Sequence, residues 1–263
     1  MQLQRALPNF EAAGIQVFAV SYDPVDVLAR FAEEQGITYP LLSDEASAVI
    51  RRLGILNTLV RPEESVYGIP YPGAYIVDED GVVAEKRFYR HYRTRPSAES
   101  ILKEGFGVDF DPGGHPRAQV EAEGVRLTAT LGADALRPMQ RVPLYVRFDL
   151  DDELHVYVPP VPEGFVAAEV EIDLPEGIRA EDPVYPEAQR FRVEGIEHEF
   201  TAIGGSAEIA IPLSSSLTEG GSVSVEVRVR YQACTPRECY LPRTETLLLD
   251  VPIEDLTRPA PRK

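Results

Sequence analysis

Residues 223–251 read VSVEVRVRYQACTPRECYLPRTETLLLDV, and this stretch contains both cysteines of the 263-residue chain, Cys234 and Cys239. Before the cysteines, valines alternate with polar residues over positions 223–229, which is the period-two pattern of a strand with one buried face. Apolar residues alternate again over positions 247–251. The pattern predicts two antiparallel strands, with the cysteines flanking the loop that joins them.

The loop Thr235–Glu238 places Pro236 where a type I turn accepts its fixed φ, and loops of this length are common between antiparallel strands. Cys234 and Cys239 would then face each other. Directly opposed strand positions have Cα atoms about 4.5 to 5.5 Å apart, a distance that allows an unstrained disulfide. The geometry permits the bond without proving it.

Two roles compete for such a pair. A structural staple that closes a loop of about six residues removes only about 2 kcal/mol of unfolded-state entropy, which is near the low end for disulfides. Strand parity puts Cys234 on the face opposite the valines, toward solvent, provided that no bulge shifts the register. Because exposed short-loop disulfides tend to be labile, we expect a redox role and keep the staple as the alternative.

Composition and charge narrow the range of partners. The formal charge of −17 repels phosphate backbones and argues against nucleic acid. No apolar run approaches the roughly 20 residues that span a bilayer, and the first residues do not resemble a signal peptide. The four histidines have no metal-ligand spacing with the cysteines or with each other, so we expect no metal site and no cofactor; they are His91, His115, His155 and His198.

Apolar periodicity changes between helical and strand spacing over residues 1–105, as in an α/β domain. The run 15–22 is almost continuously apolar, which is typical of a parallel strand buried on both faces. Pro8 predicts a kink or a break in the opening helix. The predicted order is α-β-α-α-β-β-α, with helices near 3–13, 24–35, 46–53 and 97–103 and strands near 15–22, 74–78 and 82–86.

Three motifs in this half carry a family resemblance: VFAVSYDP (17–24), FAEEQGITYPLLSD (31–44) and YGIPYPGAYIVDEDG (67–81). Together with the opening helix they resemble the redoxin family, the peroxiredoxin-like alkyl-hydroperoxide-reductase/thiol-specific-antioxidant proteins, over about residues 2–104. The resemblance implies a thioredoxin fold and a peroxide substrate for a full-length form. It also implies a cis-proline at Pro72, in the loop before the hairpin.

The family's reactive cysteine corresponds to positions just upstream of Met1, and residues 1–233 contain no cysteine. The expected α/β domain is therefore N-terminally incomplete and lacks its first strand. We expect a start codon assigned inside a longer gene, because losing a central strand leaves backbone groups unpaired and a helix face uncovered. A degenerate remnant of the domain is the alternative.

Turn-forming residues without periodicity predict a linker over 106–117. About seven short runs with strand patterns follow over 118–253, which predicts an all-β, immunoglobulin-like sandwich, with a tail at 254–263. The predicted strands lie near 125–129, 142–150, 166–172, 191–193, 207–211, 223–233 and 246–251.

This half resembles the N-terminal domain of the thiol:disulfide interchange protein DsbD through VRLTATLGADALRPMQRVPLYVRFDL (125–150), a strand over LHVY (154–157), VEIDLPEG (170–177) and, above all, YQACTPRECYLP (231–242). In that family the two hairpin cysteines receive electrons from a membrane-embedded domain and pass them to periplasmic acceptors through mixed disulfides. The resemblance gives this role to Cys234 and Cys239, although the four residues between them are one fewer than in DsbD.

The same resemblance implies thiol or disulfide partner proteins and a cap loop over the cysteines, which we expect near Ile196–Phe200. It favours an extracytoplasmic location if a signal lies upstream, whereas redoxins are also common in the cytoplasm. Which cysteine attacks is left open. A non-catalytic interaction module with a structural disulfide and a redoxin scaffold is the alternative function.

Overall fold

A computed structural model describes residues 2–88, 95–109, 114–192 and 199–255. The chain divides into two compact units, residues 1–110 and residues 111–263. The elements of the first unit are α1 (Gln2–Ala12), β1 (Ala19–Ser21), α2 (Val25–Gln35), β2 (Leu41–Ser43), α3 (Ala48–Arg52), β3 (Gly73–Val77), β4 (Val83–Phe88), β5 (Arg95–Pro96) and α4 (Ala98–Phe106).

The strands β1 to β4 form two separate ribbons. β1 pairs with β2 in parallel, and β3 pairs with β4 in an antiparallel hairpin, as predicted. No strand joins the two ribbons within residues 2–88. The unit is therefore mixed α/β, but its sheet is divided.

The prediction of a long strand over 15–22 is wrong. Only Ala19–Ser21 is a strand, and large apolar side chains in and beside it are in solvent: Val20 within the strand is 44% exposed, and Phe18 just before it is 55% exposed. A strand is buried on both faces only when strands flank it and layers cover it, and β1 has one strand partner. β2 was not predicted as a strand, because its run of three residues is too short to show a period.

Helices α1 and α4 supply the packed part of this unit. Ala6 and Phe10 on α1 are buried together with Ala98 and Leu102 on α4. α1 runs through Pro8 as a single helix, so the predicted break is absent. The α4 terminus forms as the sequence suggests, because the Ser97 hydroxyl accepts a hydrogen bond from the Ser100 N–H at 3.1 Å.

The second unit is all β, which confirms the predicted immunoglobulin-like sandwich. Its strands are β6 (Arg117–Ala122), β7 (Val125–Leu131), β8 (Gln140–Leu150), β9 (His155–Tyr157), β10 (Glu169–Asp173), β11 (Ile178–Ala180), β12 (Gln189–Arg192), β13 (Glu199–Gly204), β14 (Ser206–Ser215), β15 (Gly221–Tyr231), β16 (Ala233–Cys234) and β17 (Arg243–Ile253). β6, β11 and β13 were not among the predicted strands.

Three sheets build this unit, in the orders β11-β14-β8-β7-β6, β10-β15-β17 and β12-β13-β9-β16. The first two contribute alternate side chains to one apolar core. Fully buried members include Leu127, Leu144, Ile209, Val227 and Leu249. The third sheet carries the cysteine-bearing strand β16.

The strands β15 and β17 form the predicted antiparallel hairpin, in register from Val223 opposite Val251 to Tyr231 opposite Arg243. Between Tyr231 and Arg243 the chain leaves the sheet of β15 and β17, and β16 pairs with β9 of the third sheet. The cysteines therefore lie on an excursion that changes sheets immediately after β15. None of the helices that the structure describes is long and apolar enough to cross a membrane.

Candidate redox site

Cys234 and Cys239 form a disulfide with an S–S distance of 2.02 Å and a Cα–Cα distance of 4.0 Å, which confirms the predicted pairing. The Thr235 N–H donates to the Glu238 carbonyl at 2.8 Å, and the Tyr240 N–H donates to the Ala233 carbonyl at 2.9 Å. The disulfide thus lies across the tip of a hydrogen-bonded hairpin.

Side chains add further hydrogen bonds around this tip. The Thr235 hydroxyl accepts from the backbone N–H of Arg237 at 3.2 Å and of Glu238 at 3.1 Å. The Gln232 side-chain amide donates to the Tyr240 carbonyl at 2.8 Å. Because these bonds do not depend on the S–S bond, we expect the two thiols to stay close after reduction.

The two cysteines differ in their exposure to solvent. Cys239 is exposed together with its neighbours Pro236, Arg237 and Glu238, whereas Cys234 is 1% exposed. The prediction that Cys234 points toward solvent is wrong. Parity did place it opposite the valine face, but that face is covered by a second, smaller apolar cluster.

Aromatic rings form this cover over Cys234. Tyr157, Phe165 and Phe200 pack with ring centroids 4.6 to 5.6 Å apart, and Cys234 belongs to the same buried cluster. Positions 196–198 of the predicted cap loop lie outside the described residues, and Phe200, at its end, is fully buried in the cluster. Phe165 was not predicted as a residue of this site, and its one signal in the sequence is that it is an aromatic residue within a proline-rich segment.

His155 was assigned to no site from the sequence, yet it is the cross-strand partner of Cys234 in the β9–β16 pair. Its Nε2 lies 3.4 Å from the Tyr157 hydroxyl oxygen. Burial lowers the pKa of the His155 imidazole and raises the pKa of the Tyr157 phenol. Both groups therefore favour their uncharged forms beside the disulfide.

The predicted cis bond at Pro72 is wrong. Within the described residues the cis peptide is Pro159–Pro160, so the Tyr71–Pro72 bond is trans. Trans is the lower-energy state of an X–Pro bond, and residues 1–233 contain no cysteine that a cis-proline could flank. Pro72 belongs to the first unit and the disulfide to the second.

Metal ligands do not cluster in the described part of the chain, where no group of three or more His, Cys, Asp or Glu side chains could hold an ion. His91 and His198 lie outside the described residues. The His115 Nδ1 atom lies 2.8 Å from the Leu131 carbonyl oxygen. The described residues bring two sulfurs, one imidazole and an apolar cover together at this site.

Family comparisons divide the chain in the same way as its structure. Residues 1–86 match the AhpC/TSA family, and residues 128–251 match the N-terminal region of the thiol:disulfide interchange protein DsbD. Peroxiredoxin Bcp of Escherichia coli K12 is 31% identical over 85 residues, which cover 31% of this chain and 51% of that protein. The chain spans about half the length of the curated relatives it matches.

Two solved structures resemble the chain at a low level. The N-terminal periplasmic domain of ScsB from Proteus mirabilis is 17% identical, with a TM-score of 0.39, and the match covers 51% of this chain and 50% of that one. A complex between the DsbD N-terminal and PilB N-terminal domains from Neisseria meningitidis matches at 13% identity, with a TM-score of 0.31, over 53% of this chain and 85% of that one. The chain therefore joins a part similar to the peroxiredoxin-like AhpC/TSA family to a part similar to the N-terminal domain of DsbD, and the latter part carries a disulfide.

Proposed function

We propose that the Cys234–Cys239 pair carries two electrons between thiol proteins by thiol–disulfide exchange, with Cys239 as the sulfur that forms the mixed disulfide. The observation that carries this proposal is the unequal exposure of the two cysteines. Exchange requires in-line access to one sulfur, and Cys239 offers it at the tip of a hairpin. Cys234 is shielded by the aromatic cluster and takes the resolving position.

The exchange balances without a further reductant. In the reduced chain, the Cys239 thiolate attacks one sulfur of a partner disulfide, and the other partner sulfur leaves as a thiolate. The Cys234 thiolate then attacks the Cys239 sulfur, which releases the second partner thiolate and closes the intramolecular disulfide. The partner gains two electrons, and the reverse sequence returns them.

The redoxin unit cannot perform the peroxide step with a cysteine of its own in residues 1–233. The electrons of this pair therefore pass to or from a thiol on another polypeptide, or on a part of the protein outside this chain. The match to the DsbD N-terminal region supports this assignment to thiol partners.

The reduction potential of the pair tests the redox role against the staple. We expect a midpoint above about −300 mV, because exchangeable disulfides have higher potentials than structural ones. The measurement is equilibration of the chain in dithiothreitol redox buffers, followed by alkylation and mass spectrometry of the cysteine peptides. A potential far below about −300 mV would mark a structural staple and would count against the proposal.

A further inference from the structure

His155 lies directly opposite Cys234 across the antiparallel β9–β16 pair. Side chains at directly opposed positions project to the same face, with Cβ atoms about 4.5 to 5.5 Å apart. On its other side His155 is paired with Gly204 of β13, which has no side chain. The cross-strand neighbour that presents a side chain to His155 is therefore Cys234.

The step in which Cys234 resolves the mixed disulfide at Cys239 needs a proton acceptor beside Cys234. Cys234 must lose its thiol proton before it can attack, since the thiolate is the nucleophile. Its surroundings are the rings of Tyr157, Phe165 and Phe200, and an apolar environment disfavours the thiolate. With Cys234 only 1% exposed, bulk water has little access to take the proton.

We propose that the His155 imidazole takes the thiol proton of Cys234 when the mixed disulfide at Cys239 is resolved. This rests on the proposed exchange function and assigns one of its steps. The proton moves from the Cys234 sulfur to a ring nitrogen, and the Cys234 thiolate attacks the Cys239 sulfur. The partner sulfur leaves with the electron pair of the broken bond, and the imidazolium then passes the proton to that thiolate or to solvent.

The ionisation of His155 fits this role. Burial lowers the pKa of its imidazole, so the ring is uncharged at neutral pH and keeps a lone pair that can accept a proton. His155 is only partly buried, so the proton can pass from it to solvent.

Few other groups could supply the proton acceptor. Tyr157 on the same strand has a phenol whose pKa is raised by burial, so it is uncharged and a poor base. β13 presents Gly204, and the loop after β16 carries Arg237 and Glu238, which are both exposed. Glu153, in the turn before β9, is exposed as well. His198 lies outside the described residues.

The test uses the reduced 263-residue chain and one equivalent of the aromatic disulfide dithionitrobenzoate in a stopped-flow instrument. One thionitrobenzoate leaves when Cys239 attacks, and a second leaves when Cys234 resolves the adduct. In His155→Phe, which keeps a ring of similar size, we expect the first phase to be unchanged and the second to slow by at least about tenfold at neutral pH. His115→Phe is the matched control and should leave both phases unchanged.

The pH profile separates proton transfer from packing. In the wild-type chain the second phase should stay level through neutral pH and fall at acidic pH, where the imidazole gains its proton. In His155→Phe it should rise about tenfold per pH unit through the neutral range, because the rate then follows the free thiolate. A second phase with the wild-type rate and profile in a folded His155→Phe chain would overturn the proposal.

A second measurement covers the case in which His155→Phe does not fold. The imidazole proton resonance of His155 in the wild-type chain should titrate at different pH values in the disulfide and dithiol forms, because a thiol replaces the S–S bond beside it. Identical titrations in both forms would refute the role of His155. Absence of the first thionitrobenzoate phase in the wild-type chain would instead refute the proposed exchange function.

Discussion

Replacing Cys239 with serine is expected to abolish disulfide exchange, whereas replacing Cys234 is expected to permit the first attack and stop its resolution. In Cys239→Ser the remaining sulfur is the 1% exposed Cys234 under its aromatic cover, so an incoming disulfide cannot align with it. In Cys234→Ser the exposed Cys239 reacts and remains as a mixed disulfide, because no second thiol displaces the partner.

The measurement is the rate and the site of adduct formation with glutathione disulfide, followed by mass spectrometry of quenched samples. We expect Cys234→Ser to form its adduct at least about tenfold faster than Cys239→Ser, since exposure to solvent favours Cys239. The double variant Cys234→Ser/Cys239→Ser is the control for non-specific labelling. Equal adduct rates at the two positions would show that the difference in exposure does not direct the chemistry.

The same variants separate the two candidate functions. A non-catalytic interaction module would bind its partner equally well with serine at both positions, because its surface is unchanged apart from two sulfur atoms. An exchange domain would lose covalent capture of the partner and transfer of electrons. Retained transfer in the double variant would contradict the proposed function outright.

The sequence predicts the cysteine hairpin well because its determinants are local. Alternating valines define the inner face of β15, the apolar alternation after the cysteines defines β17, and the short loop brings Cys234 and Cys239 opposite each other. Each of these signals lies within about 30 residues of chain, so neighbouring positions carry all the information.

The environment of Cys234 could not be predicted in the same way. Parity states which face a side chain occupies, but it does not state what covers that face. The cover comes from Phe165 and Phe200, which are remote in sequence and reach the cysteine only because β9 and β13 pair next to β16. His155 lies in a strand that carries part of the DsbD resemblance, but its position opposite Cys234 appears only once the strand register is known.

The predictions for the first unit were incomplete for a different physical reason. The apolar run over 15–22 indicates a strand, but only Ala19–Ser21 forms one, and burial on both faces depends on layers that cover each face. A local apolar pattern does not show whether such layers are present, and Phe18 and Val20 are exposed. The trans bond at Pro72 follows the intrinsic preference of X–Pro bonds and departs from what the family resemblance implied.

Replacing Phe148 with alanine is expected to give a large loss of stability in the β unit. Phe148 is fully buried on β8, and its ring meets the Tyr231 ring edge-on at a centroid distance of 6.0 Å. Tyr231 is the last residue of β15, immediately before the excursion that carries the disulfide. A Phe→Ala change in a closed core removes the transfer energy and leaves a cavity, which together cost about 3 to 5 kcal/mol.

This loss should appear as a decrease of roughly 10 °C in the melting temperature of a unit of this size, measured by calorimetry on the oxidised chain. Phe18→Ala is the matched control, because the same atoms are removed from a side chain that is 55% exposed, and its effect should stay within about 0.5 kcal/mol. Since Phe148 supports the strand that leads into the cysteine excursion, Phe148→Ala should also speed alkylation of Cys234 in the reduced chain. A destabilised Phe148→Ala chain in which Cys234 stayed as protected as in the wild type would show that the aromatic cover holds independently of the main core.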